Sequence, residues 1–246
     1  MDEPTIDAVA GQLRQRLSTV DGSRAPFLGT YLRTTEAVGA AVADGSFEDP
    51  DWVARWDVAF AGFYLDALDR DLAGQPAPRP WRLAFSAPAG LPPLRQVLLG
   101  INAHVNYDLP QALLAVISPA DFADPVLLAR RQRDHERIDA VLSERVGAED
   151  SRVRDSRMRD EQSRTDRLLR PANRAASRRF LREARQKVWH NAVELNAARL
   201  RSEAGYRERL AELEVLSAAK IADLLAPGQV LLRLAVSGFG VLLPPA

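Results

Sequence analysis

Apolar residues recur at intervals of three and four along almost the whole chain, and alternating β-branched runs are scarce. Such spacing gathers apolar side chains on one face of an α-helix, whereas a half-buried strand needs strict alternation. We therefore predict an all-α fold, a single helical bundle domain of residues 1–246 with a buried polar pocket. The length fits one large domain, and no internal repeat or linker marks a boundary.

Local signals place several helix ends. The Asp49-Pro50 pair is typical of a helix start, with Asp49 as the N-cap, and predicts a helix over residues 50–72. Six prolines lie between residues 74 and 93 and predict a connecting loop. Trp81 and Phe85 are the apolar side chains that we expect to hold this loop against the core.

A second helix start lies at the double proline Pro92-Pro93, and this helix runs toward Pro110. Because proline disfavours the α conformation in the residue before it, we expect the helix to bend or end near Tyr107. Asp108 would then cap the next helical segment. Further along, residues 149–167 are charged and nearly free of apolar side chains, so we expect a mobile, solvated segment there.

Ionisable side chains lie in phase with the apolar faces of three predicted helices. Asp57 follows the apolar stripe of its helix. His104 with Asp108, like His135 with Asp139, forms a pair four residues apart, and residues at this spacing lie on one face of a helix. Burial of an uncompensated carboxylate costs several kcal/mol, so we expect these groups to converge in one interior site.

Two imidazoles and several carboxylates are the ligands that Zn, Mn or Fe prefers. We therefore interpret His104, Asp108, His135 and Asp139 as ligands of one divalent metal, with the first three also catalytic. A metal held there would activate water or polarise a carbonyl or phosphoryl oxygen, as in a hydrolase. The side chains expected to contact a ligand are Asp57, Tyr64, Asn106 and Asn196, although the pattern around Tyr64 favours a place in the core over a stacking platform.

Two other interpretations stay open. In the first, the protein is a metal-free enzyme for a small hydrophobic metabolite, in which a His–Asp pair acts as general acid and base and the carboxylate fixes the imidazole tautomer. In the second, the buried polar groups form a structural network in a binding or scaffold protein. His190 shares a helix face with charged residues, which favours a solvated position for it.

Composition narrows the range of partners. The net charge is zero, and the Arg-rich part of the chain has interspersed acids and no interleaved aromatic residues, which argues against nucleic-acid binding. No apolar run is long enough for a membrane span, and no signal peptide is visible. The chain has no cysteine, which fits the reducing cytoplasm, where we expect the protein to act on a small molecule.

Three blocks of sequence carry a family resemblance. They are Phe27-x-x-x-Tyr31-x-x-x-Thr35, Phe60-Ala61-x-x-Tyr64, and the run from Leu98 to Pro110 with its core Asn102-Ala103-His104-Val105-Asn106-Tyr107-Asp108. Together they resemble the mainly actinobacterial domain-of-unknown-function family 5995, and the resemblance covers most of the chain. It implies that His104, Asn106 and Asp108 form the characteristic polar cluster of the family, and it implies no particular activity.

A second similarity depends on His104-x-x-x-Asp108 followed by Leu-Pro. This run is similar to the His-x-x-Gly-Asp-x-His-Gln-Pro block of the helical zinc-dependent phospholipase C and P1-type nuclease group. The chain lacks the second histidine of that block, and its three histidines are too few for a trinuclear zinc site. The similarity implies at most a site for one or two metal ions.

Overall fold

The structure is a computed structural model that describes residues 4–20, 22–157, 164–228, 234 and 237–245, with side chains described outside 142–181. The described residues form helices and no strand, which confirms the predicted all-α fold. The helices are α1 Ile6–Leu17, α2 Ala25–Ala43, α3 Pro50–Leu72, α4 Arg79–Phe85, α5 Pro93–Ala103, a π-helical turn His104–Asp108, α6 Leu109–Val116, α7 Pro119–Ala123, α8 Pro125–Arg157, α9 Arg164–Arg201 and α10 Glu203–Leu225.

Helix starts follow local side-chain chemistry. The carboxylate of Asp49 accepts a hydrogen bond from the Trp52 N–H at 3.0 Å, so the predicted cap of α3 is confirmed. Ser118 caps α7 in a reciprocal capping box with Asp121, and Ser202 caps α10. Each cap satisfies backbone N–H groups that have no partner inside the helix.

The proline-rich stretch 74–93 is not entirely a loop, because α4 forms within it. Pro80 lies in the first turn of α4, where the missing N–H of proline has no helical partner to lose. Trp81 and Phe85, the two residues expected to hold the loop, are 0% and 6% exposed in the core. The prediction that these two side chains anchor the stretch is confirmed. The prolines suggested a loop where the short helix α4 forms.

The segment α5, π-turn and α6 is one continuous helix in the middle of the fold. It contacts α2, α4 and α10 through α5, and α3 and α9 through the π-turn and α6. Almost every residue from Leu99 to Leu114 is buried, as expected for a helix enclosed by others. Between Leu99 and Leu114 the central helix therefore has no solvated face on which its polar residues could lie.

Of the two outcomes expected near Tyr107, a bend or an end of the helix, the end is wrong. Leu109 keeps helical angles, φ −63° and ψ −41°, and its N–H bonds to the carbonyl of His104, five residues back. Pro110 has no N–H to bond four residues back, so a regular α turn would lose a hydrogen bond at this point in any case. The chain passes through the proline as a wider turn, and the Asp108 side chain does not cap α6.

The long helices α8 and α9 include most of the segment expected to be mobile. The backbone is helical to Arg157 and again from Arg164. Residues 158–163 and the side chains of 142–181 lie outside the described residues, so the expectation for 149–167 stays a prediction. Within the ranges that the structure does describe, no helix is both long enough and apolar enough to cross a membrane.

Buried apolar side chains form two clusters that meet along α3. Tyr64 of α3 belongs to the first cluster, with Phe27, Tyr31 and Trp81. Trp56 of α3, two turns earlier in the helix, belongs to the second cluster. The two histidines that were predicted to share one site therefore lie beside different clusters.

Candidate functional site

The imidazole of His104 lies in a cluster of aromatic rings and is 2% exposed. Phe60 stacks face to face on it, with ring centroids 3.5 Å apart and planes inclined by 5°. Tyr31 meets it edge-on at 4.5 Å. Three further rings surround the imidazole at centroid distances of 5.8 to 5.9 Å: Phe27, Tyr64 and Trp81.

Small residues and helical spacing bring these rings together. Phe60 and Tyr64 are four residues apart on α3, and Phe27 and Tyr31 are four apart on α2, so each pair covers one helix face. At Gly100 of the central helix, a Cβ atom would lie 2.3 Å from Cγ of Phe27. The glycine therefore allows α2 to approach closely enough to place Phe27 beside the imidazole.

A hydrogen-bonded chain fixes the orientation of His104. Its Nδ1 lies 2.8 Å from Oδ2 of Asp108, and the indole N–H of Trp81 donates to the same oxygen at 2.8 Å. The predicted pair on one inward face is thus present, and Trp81 is its third member. Nδ1 is engaged, so the ring is held with Nε2 as its other functional atom.

Burial governs the protonation of this pair. It lowers the pKa of His104 well below its usual range and raises the pKa of Asp108 well above, although the hydrogen bond from Trp81 opposes the rise. Both pKa shifts favour the uncharged form of the group, so the His104–Asp108 pair as a whole retains one titratable proton. With that proton present, whether on Asp108 or on Nδ1, Nε2 carries a hydrogen and donates. Once the proton is lost, Nε2 becomes an acceptor.

Several buried polar atoms around the imidazole have no hydrogen-bond partner. They include Nε2 of His104 itself, the hydroxyl of Tyr64 and Oδ2 of Asp57. The hydroxyls of Tyr31 and Thr35 lie near each other without the geometry of a hydrogen bond. Buried polar groups in folded proteins are almost always paired, so such a concentration needs an explanation.

Asp57 is the carboxyl group next to this cluster. It is one turn from Phe60 on α3, is 7% exposed, and its proximity raises the pKa of Tyr31 further. Burial alone raises the pKa of Asp57 to about 7, since no cation or hydrogen-bond donor offsets it. Asp57 and Tyr64, both predicted to contact a ligand, are therefore brought to the His104 site.

Asn106 is on the π-turn, but its amide is used by the protein. Its Nδ2 donates to Oδ1 of Asn102 at 2.9 Å and to the carbonyl of Phe239 at 3.2 Å. Its Oδ1 accepts from the N–H of Val241 at 3.1 Å. The amide thus holds the end of the described chain. Its Nδ2 has no free N–H left to donate to a ligand, as the prediction of a direct contact would need.

Asn196 is not part of this site. Its Oδ1 accepts from the Nε of Arg199 at 2.8 Å, and the guanidinium donates to the carbonyls of Leu114 and Ile117. Asn196 therefore orients an arginine that closes the C-terminal end of α6. The prediction that Asn196 contacts a ligand stays a prediction.

His135 lies in a different environment from His104. Asp134 accepts hydrogen bonds from the N–H groups of Glu48 and Asp49, both at 2.8 Å, and so docks α8 against the start of α3. His135 then packs between Trp56 and Trp189, at ring centroid distances of 5.3 and 5.4 Å. It shares no ring neighbour with His104, and both of its ring nitrogens are buried without a partner.

The predicted pairing of His135 with Asp139 does not form. The carboxylate of Asp139 is bonded instead to the Nε of Arg185 on α9. In the part of the chain that the structure describes, no three His, Asp or Glu side chains are grouped closely enough to hold a metal ion. The four proposed ligands thus do not converge, because in-phase residues on separate helices face separate clusters. Binding of a divalent metal by the protein stays a prediction.

Sequence reasoning missed the roles of Tyr31, Thr35 and Trp81. Tyr31 matched an apolar helix stripe and Trp81 a loop anchor, and both interpretations are correct as far as packing goes, whereas Thr35 entered only through the family resemblance. The signal that was available is the polar atom that each side chain carries, which must find a partner when the ring or methyl group is buried.

These observations define a class: an all-α protein whose enclosed central helix carries a His–Asp pair inside an aromatic cluster. The chain belongs to the family described as "Family of unknown function (DUF5995)", whose model matches residues 6–227. The match includes every residue of the His104 site and ends before the segment that binds Asn106. No curated protein and no solved structure matches the chain, so the similarity to the phospholipase C and nuclease group stays a prediction.

Proposed function

We propose that the protein is a metal-free acid–base enzyme that encloses a small, mainly apolar molecule beside His104. In this proposal Nε2 of His104 exchanges a proton with a polar group of that molecule, while Asp108 and Trp81 hold the ring. The absence of cysteine fits a place of action in the cytoplasm. The observation that carries the proposal is an imidazole with Nδ1 bonded to a carboxylate and Nε2 left unpartnered among other unpartnered polar atoms.

A purely structural network would leave several buried polar atoms without a hydrogen-bond partner. Each buried polar atom without a partner costs about 1–3 kcal/mol. For His104 Nε2, the Tyr64 hydroxyl and Asp57 Oδ2 together, this is a substantial part of the roughly 5–15 kcal/mol that stabilises a folded domain. A molecule that bonds to these atoms recovers that free energy, which favours a binding site over a scaffold.

The chemistry of the surroundings indicates what is bound. The walls are aromatic rings from α2, α3 and α4, so the body of the ligand is apolar or aromatic. The polar atoms left without a partner belong to a phenol, a carboxyl with a pKa of about 7 and an imidazole. Each of these groups donates or accepts one proton, and the carboxyl of Asp57 is about half ionised at pH 7. This set suits a hydroxyl or carbonyl group better than an anion.

Asp108 makes His104 a usable base once the pair has lost its titratable proton. Desolvation opposes formation of an imidazolium, but a proton taken up at Nε2 can be matched by the negative charge of Asp108 at Nδ1. Phe60 controls access, because its ring is only partly buried and covers one whole face of the imidazole. Movement of this single side chain opens the site.

Binding is tested with phenol, cyclohexanol and benzene as probes. The chain contains three histidines, so ¹⁵N imidazole signals are assigned with one His→Gln variant for each. We expect phenol to shift the His104 Nε2 signal saturably, and benzene, which lacks the hydroxyl, to bind more weakly. Tyr64→Phe and Asp57→Asn should each weaken phenol binding by about tenfold, the value of one hydrogen bond.

The acid–base role is tested with p-nitrophenyl acetate as an activated ester. His104→Gln should lower kcat/KM by about 100-fold or more, the usual contribution of a general base. His190→Gln is the matched control, because His190 lies on α9 outside the ring cluster and the glutamine amide can still donate to the Leu243 carbonyl. No movement of the His104 signal with any probe, or equal loss of turnover in both variants, would overturn the proposal.

A further inference from the structure

The segment 238–245 runs as non-helical chain beside α9 and the π-turn. Phe239 is 6% exposed and belongs to the first apolar cluster, and Leu243 is fully buried in the second. Leu242, which lies between them, is 50% exposed, and Pro244 is also exposed. The segment thus bridges the two clusters and presents alternate side chains to solvent, as an extended peptide does in a groove.

Two buried asparagines bind the main chain of this segment. Asn106 bonds to the Phe239 carbonyl and the Val241 N–H. Asn191 of α9 donates to the Val241 carbonyl at 3.0 Å and accepts from the Leu243 N–H at 2.8 Å. Each side-chain amide pairs with a donor and an acceptor of the peptide, in the way that a neighbouring strand would.

The groove fits the sequence of the segment closely. Gly238 has a φ of +72°, a conformation that side chains other than glycine rarely adopt. At Gly240 a Cβ atom would lie 2.8 Å from Cδ of Lys187 and 3.1 Å from Cα of Ala184. Lys187 also donates to the Gly240 carbonyl at 3.1 Å. The two glycines allow the chain to lie against α9.

Asn106 connects this groove to the His104 site. It lies inside the π-turn, between His104 and Asp108, and also donates to Asn102 one turn earlier. π-helical turns are rare and are found mostly where function needs them, since the α-helical arrangement is more favourable. Pro110 favours the wider turn because it lacks an N–H, and the bonds of Asn106 to Phe239 and Val241 tie this turn to the segment. Loss of these bonds would let the turn shift between α5 and α6.

We propose that Asn106 is a positioning residue, through which docking of residues 238–245 sets the geometry of the His104–Asp108 pair. This inference deepens the proposed function, and its test measures the geometry of the pair rather than turnover. A failure of ligand binding and a failure of this coupling are therefore separate results.

The experiment compares Asn106→Ala with Asn191→Ala in the full chain. Each variant removes one amide that binds the same segment, but only Asn106 lies on the π-turn. We expect Asn106→Ala to move the His104 imidazole ¹⁵N signals and to speed amide hydrogen exchange at residues 104–109 by about tenfold, the factor contributed by one hydrogen bond to a local opening. Asn191→Ala should speed exchange at residues 241–243 and move the His104 signals much less, because Asn106 keeps its own bonds to Phe239 and Val241.

Gly240→Ala keeps the test decisive if Asn106→Ala does not fold. This variant crowds the segment against α9 without touching the π-turn. A second variant, Asn106→Asp, retains Oδ1 but loses the Nδ2 donor. The coupling predicts that the His104 signals move in the same direction in both variants. Equal effects of Asn106→Ala and Asn191→Ala on His104, or unmoved His104 signals in Asn106→Asp and Gly240→Ala, would overturn the inference.

Discussion

Phe60 and His104 lie face to face, and Phe60 is the partly buried ring of the two. The phenyl ring therefore separates the imidazole from solvent, while the other rings enclose it from the interior. Since the imidazole is 2% exposed, its reactivity toward small reagents depends on how often this ring moves aside.

Removal of the Phe60 ring should expose His104. We expect Phe60→Ala to increase the rate of His104 modification by diethyl pyrocarbonate by about tenfold or more, because the rate follows the fraction of open molecules. Modification is followed by mass spectrometry of the peptide that contains each histidine. Phe63→Ala is the control, because Phe63 is partly buried on the same helix and packs against the second cluster. If Phe63→Ala exposes His104 equally, Phe60 is not the cover.

Replacement of Trp81 by Phe should shift the titration of the His104–Asp108 pair upward. The variant retains an aromatic ring but loses the N–H that donates to Asp108. Because that hydrogen bond opposes the rise in the pKa of Asp108, its loss raises this pKa further, and Nε2 of His104 donates up to a higher pH. The unfolding free energy should also fall by about 1–2 kcal/mol.

The ¹⁵N shifts of His104 as a function of pH measure this effect. Trp189→Phe is the matched control, because its indole contacts His135 and not His104. A titration of His104 that moves in Trp189→Phe but not in Trp81→Phe would contradict the assignment of Trp81 to the pair.

Asp57 should make the folded protein less stable as the pH rises. Its pKa is near 3.9 in an unfolded chain and about 7 in the folded protein. Below pH 4 both states hold the proton, and between pH 4 and 7 only the folded state does, so the unfolding free energy falls across this interval. At a loss of 1.36 kcal/mol per pKa unit, the total reaches about 4 kcal/mol above pH 7.

Urea unfolding of the wild type and Asp57→Asn between pH 4 and 8 tests this pH dependence. The amide carries no charge, so the variant should lack this part of the decline and exceed the wild type in stability above pH 7. Asp66→Asn, at an exposed position on the same helix, should retain the wild-type slope. A parallel decline in Asp57→Asn and the wild type would show that Asp57 is ionised in both states.

Local patterns in the sequence predicted the fold class and half of the site. The four-residue spacing of His104 and Asp108 fixes them on one helix face whatever surrounds the helix, and the apolar stripe around them predicts burial. Periodicity also placed Asp57 and Tyr64 on the correct face of α3. These predictions depend only on the geometry of a single helix, which the sequence determines directly.

The rest depends on which helices are neighbours, and periodicity does not contain that information. His135 is in phase with its apolar stripe and is buried as predicted, yet it faces Trp56 and Trp189 rather than His104. Asn106 is bonded to Phe239 and Val241, more than 130 residues further along the chain. The passage of the helix through Pro110 depends on a five-residue hydrogen bond that residue preferences do not reveal.

Gly100 should be the glycine whose replacement affects the site most. In Gly100→Ala the new methyl group meets Cγ, Cδ2 and Cβ of Phe27 at 2.3–2.7 Å, so α2 and the central helix must separate or the ring must turn. Overpacking of this kind costs about 1–3 kcal/mol. Because Phe27 also contacts His104, the proton signals of the imidazole should shift through the changed ring current.

Gly62→Ala is the control for the helical glycine itself. Gly62 is exposed on α3, and a Cβ atom there would meet nothing within 4 Å. Alanine is favoured over glycine inside a helix by about 0.5–1 kcal/mol, so this variant should be more stable than the wild type with unchanged His104 signals. Chemical unfolding measures both variants. If Gly100→Ala were also stabilising, Phe27 would have room to move, and the close approach of α2 would not be what fixes the aromatic cluster around His104.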